Sequence, residues 1–129
     1  MEGIPLLVSR IAAGFPSPAE DYLEEKLDLN QRFVSNPLST FFVRVSGDSM
    51  RDACLHPDDY LIVDTSLSPR HNSIVIAFVN GDATVKRFRR EQSGLWLRPE
   101  NENYPSIKIS DKCDVEIWGV VTYVIKSLV

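Results

Sequence analysis

The stretch Ser73-Ile74-Val75-Ile76-Ala77-Phe78-Val79-Asn80-Gly81-Asp82-Ala83-Thr84-Val85-Lys86-Arg87-Phe88 reads as two strands joined by a two-residue turn. Its first half is apolar on both faces, as a strand covered above and below requires. Asn80-Gly81 is the strongest short hairpin signal, because a type I′ turn needs positive φ at both central residues. A two-residue loop then fixes the register, with Val79 opposite Asp82, Ala77 opposite Thr84 and Val75 opposite Lys86. Side chains alternate along a strand, so Lys86 shares a face with Val75, Ala77, Thr84 and Phe88. A charged group is thereby walled by apolar ones.

Beyond the hairpin the same β signal continues. Residues 41–45, 60–64, 95–97, 107–109 and 115–125 read as further strands, giving seven with 73–79 and 83–90, and Gly119 suggests a bend or bulge. The expectation is a mostly β, compact folded-over sheet domain over residues 41–129, preceded by an N-terminal arm over residues 1–40. In the arm, Pro16 and Pro18 hold the chain extended. Ser17-Pro18-Ala19-Glu20 has the form of a capping box and predicts a short helix to about Leu27, with Tyr22, Leu23 and Leu27 as its apolar stripe.

A chain of 129 residues with 43% hydrophobic content carries one domain with a core, not two of ordinary size. The net charge of -4 argues against a surface built to neutralise phosphates, so sequence-specific DNA binding is not expected. Arg87, Arg89 and Arg90 are read as solvated surface. Cys54 and Cys113 lack metal-ligand spacing and are expected to be buried small hydrophobes, so neither metal nor other cofactor is anticipated. His56 and His71 lie beside turn residues without catalytic partners nearby in the sequence. The apolar run 4–11 is broken by Pro5 and by Ser9-Arg10, which fits neither a leader nor a membrane span, and a cytoplasmic location is expected.

Ser46-Gly47-Asp48-Ser49-Met50 places a serine on a Gly-containing turn, and Lys86 follows 37 residues after that serine. Serine is a poor nucleophile until a neutral base takes its proton. A free lysine, with a pKa near 10.4, is neutral in only about one molecule in 2,500 at neutral pH. Bringing it near 7 costs about 4 kcal/mol of differential solvation, within reach of burial in an apolar wall. The backbone amides of Asp48 and Ser49 are expected to face a developing oxyanion. Against this stands a plainer reading, in which Ser49 caps its turn and Lys86 is an exposed edge-strand residue.

Together with Ala13-Gly14-Phe15-Pro16-Ser17-Pro18, Asp28-Leu29-Asn30-Gln31, Leu61-Ile62-Val63-Asp64, Thr84-Val85-Lys86-Arg87, Leu97-Arg98-Pro99-Glu100-Asn101 and Gly119-Val120-Val121, these residues identify a resemblance to the LexA/UmuD family of self-cleaving SOS-response proteins. The Gly-Phe-Pro-Ser-Pro arm points to the UmuD branch. The resemblance implies the folded-over domain of the LexA C-terminal or signal-peptidase-like type, Ser49 as nucleophile, Lys86 as general base and Ala13-Gly14 as the scissile bond. It also implies a homodimer, a RecA filament as activator of cleavage and a UmuC-type polymerase as partner in translesion synthesis. The 13 residues before Gly14 are too few for the helix-turn-helix domain of a repressor. Asp58 stands where the family often has glycine, which a left-handed turn tolerates. Two other classes compete: a dimeric module that binds a polymerase without cleavage, and a leader peptidase, which would need a membrane anchor.

Overall fold

A computed structural model describes residues 4–7 and 23–129, so the expected scissile pair Ala13 and Gly14, and the capping box 17–20, lie outside the described residues. The chain divides into two units, Met1–Ser35 and Asn36–Val129.

In the first unit, β1 (Ile4–Leu7) pairs antiparallel with β2 (Leu23–Leu27), Ile4 standing opposite Leu27. The helix expected to run to Leu27 is therefore corrected at its C-terminal half, which is strand. A local capping box carries no information about a partner strand some 20 residues upstream, and that long-range pairing outweighs propensity. The helix that does form is α1 (Leu29–Phe33), one residue past β2. Asp28 caps it, its carboxylate accepting the Asn30 amide at 3.0 Å.

The second unit is a seven-stranded antiparallel sheet. It comprises β3 (Thr40–Arg44), β4 (Tyr60–Asp64), β5 (Ile74–Val79), β6 (Asp82–Glu91), β7 (Gly94–Arg98), β8 (Ile107–Lys108) and β9 (Val115–Ile125). The strand order is β3-β4-β9-β5-β6-β7-β8, so β3 and β8 form the edges. The mostly β class holds. The hairpin has the register its turn dictates, with Val79 opposite Asp82, Ala77 opposite Thr84 and Val75 opposite Lys86. Asn80 and Gly81 sit at φ +50° and +88°, as a type I′ turn demands.

Two apolar clusters lie within this unit. Val45, Met50, Leu55, Leu61, Val63 and Ile76 make one, and Val75, Ala77, Phe88 and Leu97 the other. Strand β5 supplies both, because Ile76 and its neighbours Val75 and Ala77 point to opposite faces and all three are buried. Strand β9 is shared in a different way. Its ladder to β5 skips Trp118 and its ladder to β4 skips Thr122, so each of these is a bulge. Ahead of the first bulge Val115 and Ile117 face the Val75 cluster; past it Val120 does so while Val121 turns to the Leu61 cluster. Gly119 lies between the bulges because a Cβ there would come 2.6 Å from Val63 Cγ1 and 3.3 Å from the Asp64 carbonyl.

Polar groups fasten the ends. The buried Asp64 carboxylate accepts from Asn36 Nδ2 at 2.8 Å, Ser39 Oγ at 2.9 Å, and the Ser66 amide and hydroxyl at 2.9 and 2.7 Å. The Asn36 and Ser66 bonds, with that of Ser39, hold its pKa far below the ordinary carboxylate value. On the β6–β7 side Arg98 grips Glu91 with two bonds of 2.6 and 2.7 Å, holding its carboxyl down at about 2. Arg87 pairs with Glu100 at 3.0 Å and Arg89 with Glu91 at 3.4 Å; only Arg90 of the three is the exposed residue anticipated.

The cysteine expectation is also corrected. Cys54 is exposed and Cys113 half-buried, both as free thiols. Cys54 ends a 3-10 turn at φ +61°, while Met50 and Leu55 on either side take the apolar positions.

Candidate active site

Val45 closes against Asp59 through an amide-to-carbonyl bond of 2.8 Å, and the chain then turns through Gly47 at φ +78°. That left-handed residue reverses the chain so that Ser49 precedes the 3-10 turn Arg51–Ala53. Met50 and Leu55, 2% and 3% exposed, pin the turn to the core and leave Ser49 half-buried above it. Asp58 adopts φ +73°, the left-handed turn its place in the sequence implied.

Strand β6 brings the second group. Lys86 is 6% exposed, and its Nζ lies 3.1 Å from Ser49 Oγ. The amine also meets Thr84 Oγ1 at 2.5 Å and the Val85 carbonyl at 3.3 Å. Ser49 Oγ in turn stands 3.4 Å from the Val85 carbonyl. Among the described residues no carboxylate pairs with Lys86, and burial pushes its pKa below the ordinary lysine value. With no counter-charge among the described residues, burial makes the neutral amine more accessible than in a free lysine, and a neutral amine can accept a proton. The plain reading of Lys86 as an exposed edge residue does not survive, since β6 lies between β5 and β7.

A cleft of about 250 Å³ opens beside Ser49, lined by Ser46 and Gly47 from the turn, Ala83, Thr84 and Val85 from β6, and Val43 to Val45 from the edge strand. Its size and apolar base, which includes Met50, Leu55 and Ile76, suit a short extended segment.

The amides expected to face an oxyanion, those of Asp48 and Ser49, donate to no described residue. What holds them comes from residues 100–104, a loop to which the motifs assign no functional role. Asn101 Nδ2 donates to the Asp48 carbonyl at 2.9 Å, the Glu100 amide to the Ser49 carbonyl at 2.8 Å, and Tyr104 Oη to Asp48 Oδ1 at 2.6 Å. That last bond raises the Tyr104 pKa. Thr84 was legible as a neighbour of Lys86, two residues earlier on the same strand face; Asn101 was not, being 53 residues from Asp48.

The histidines sit elsewhere in the network. His71 Nδ1 accepts the Arg90 amide at 2.9 Å, and His56 Nδ1 lies 3.0 Å from Lys126 Nζ. Lys126 also pairs with Asp59. Among the described residues no group of three or more His, Cys, Asp or Glu is placed to hold a metal, and no helix is long and apolar enough to cross a membrane.

Ser49 thus faces the buried Lys86 on a seven-stranded antiparallel sheet, and comparison with known proteins places the chain within one family. The sequence profile of the peptidase S24-like family matches residues 5–122. The chain is 44% identical to protein MucA of Salmonella typhimurium over 124 residues, covering 95% of this chain and 84% of that protein. It is 45% identical to protein SamA of the same organism over 118 residues, covering 92% and 81%. The LexA repressor of Pseudomonas chlororaphis is 36% identical over 121 residues, 93% of this chain but 59% of the repressor. The chain belongs to the peptidase S24-like family, and the LexA/UmuD resemblance carried by its motifs holds.

Proposed function

We propose that this protein is a self-cleaving serine endopeptidase of the SOS response that cuts its own Ala13-Gly14 bond with Ser49 and Lys86. The observation that carries the reading is the 3.1 Å approach of a buried, uncompensated Lys86 Nζ to Ser49 Oγ. Neutral Lys86 takes the hydroxyl proton as Ser49 Oγ attacks the Ala13 carbonyl carbon. The amides of Ser49 and Asp48 receive the oxyanion. When the C–N bond breaks, Lys86 returns its proton to the Gly14 nitrogen, leaving Ala13 as an ester on Ser49. A water deprotonated by Lys86 then hydrolyses that ester and restores the site. Small residues at the bond let an extended segment enter the narrow cleft without side-chain clash.

The trimmed chain, as a cytoplasmic homodimer, serves as accessory subunit of a UmuC-type translesion polymerase, and a RecA filament promotes its cleavage. These roles rest on the family resemblance. A dimer is further supported by the outer face of β3, β4 and β9, where the register lines up Phe42 with Tyr123 across Ile62, and Tyr60 with Ile125. Phe42 is 65% exposed and Tyr123 and Ile125 each 47%.

Incubation at alkaline pH followed by intact-mass measurement tests the proteolytic reading. Loss of residues 1–13 from the unaltered chain is expected, with Ser49→Ala and Lys86→Ala remaining whole. A full-length mass in all three would favour the cleavage-independent dimeric polymerase-binding module instead.

A further inference from the structure

We propose that Asn101, seconded by Tyr104, is a positioning residue that aims the Ser49 backbone amide at the oxyanion by holding the Asp48 carbonyl. The inference rests on the Ser49/Lys86 reading and extends it to residues that touch neither side chain of the pair. The peptide unit joining Asp48 to Ser49 is planar and trans, so its C=O and N–H point in opposite directions. Whatever fixes the carbonyl therefore aims the amide.

The Asp48 carbonyl is fixed from two sides, by Asn101 Nδ2 at 2.9 Å and by the Arg51 amide at 3.1 Å. Asn101 is 3% exposed, which makes it the most deeply buried polar residue of this unit. Its orientation is itself determined. Oδ1 accepts the Asn103 amide at 3.0 Å and Arg51 Nη2 at 3.4 Å, so Nδ2 must face Asp48. Tyr104 anchors the Asp48 carboxylate, and its own amide donates to the Asn101 carbonyl at 3.1 Å. The next peptide is held as well, since the Glu100 amide donates to the Ser49 carbonyl and the Asp52 amide to the Glu100 carbonyl at 2.7 Å. Arg87 ties Glu100 back to β6, the strand that carries Lys86. One loop thus clamps both peptides flanking Ser49 while leaving the Ser49 amide without a described partner.

Loss of an oxyanion donor costs about 10² to 10³ in rate, and a donor left in place but unaimed should cost less, about 10- to 100-fold. The test measures first-order self-cleavage of the full chain against pH for the unaltered protein, Lys86→Ala, Asn101→Ala, Asn101→Asp and Tyr104→Phe, with thermal melts of each. Asn101→Asp keeps the shape but sets an acceptor against the Asp48 carbonyl. Both Asn101 variants should lose about 10- to 100-fold in plateau rate, and Tyr104→Phe about threefold, with the midpoint of the pH profile unmoved in Asn101→Ala and Tyr104→Phe, which add no charge near Lys86. Wild-type plateau rates in folded Asn101 variants, or losses that vanish once corrected for the folded fraction, overturn the proposal. Should neither Asn101 variant fold, the surface variant Tyr104→Phe decides, and a wild-type rate there overturns it. An unaltered chain that never cuts, or a Lys86→Ala chain that cuts normally, strikes instead at the Ser49/Lys86 reading.

Discussion

Val75 stands directly opposite Lys86 in the β5–β6 ladder, and no part of it reaches solvent. Opposed residues of an antiparallel pair hold their Cβ atoms about 5 Å apart, so this valine is part of the dry wall that disfavours the ammonium. Val75→Ala is expected to admit water and move the Lys86 pKa back toward its ordinary value. The pH midpoint of self-cleavage should rise, the rate at neutral pH should fall about tenfold while the alkaline plateau persists, and the domain should lose about 2 kcal/mol. Rate against pH, read beside a urea titration, checks this; an unmoved midpoint would contradict it.

Lys86 itself is expected to weaken the fold. With the folded pKa below the unfolded 10.5, the unfolded chain binds more protons between those two values, so stability rises with pH across that window. The cost of the buried ammonium is complete below the folded pKa and disappears above about 10.5. Lys86→Met should therefore melt higher than the unaltered chain, by about 4 °C for ~1 kcal/mol in mildly acid buffer. That lead should shrink as the pH climbs. Melting curves at pH 6 and pH 10 of Lys86→Met and Ser49→Ala, both expected to stay whole under the proposed mechanism, provide the comparison.

Asp64 shows the opposite sign. Its folded pKa is depressed below the unfolded 3.8, so its contribution is present above that value and is lost as the pH falls beneath it. Asp64→Asn should lower the melting temperature at pH 7, because four donor groups lose a charged acceptor. The gap between variant and unaltered chain should narrow from pH 4 to pH 2. A gap that stayed constant through that range would remove Asp64 as its source.

Gly119→Ala should cost about 1 to 3 kcal/mol, since its new methyl would press on Val63 Cγ1 and on the Asp64 carbonyl. Backbone on one side and a fully buried valine on the other leave little room to relax. Pairing it with Val63→Ala, which vacates the space, should recover part of the loss as a favourable coupling in a double-mutant cycle.

Local chemistry explains what could be read in advance. Asn80-Gly81 dictated a turn, the turn dictated a register, and the register placed Lys86 among Val75, Ala77 and Phe88 without reference to any distant residue. The strands of the second unit were legible for the same reason. Leu23–Leu27 was misread because its state depends on Ile4–Leu7, and α1 was missed although Asp28 before Leu29 is an N-cap signal. The serine turn and the lysine could be named from motif and spacing. Their clamp could not, because hydrogen bonds from Asn101 and Tyr104 to Asp48 join segments more than 50 residues apart, and no periodicity records such a meeting.

The two bulges in β9 make its length matter more than its letters. Each extra residue exchanges inside for outside along everything that follows, so Val120 and Val121 reach their proper clusters only because Trp118 has been left out of the count. Exchanging one aliphatic for another along this strand is a matter of fit. Removing a single codon there would instead invert the remaining ladder, carrying Tyr123 and Ile125 inward and Val121 out, and would erase in one stroke the surface through which the protein is proposed to meet its twin.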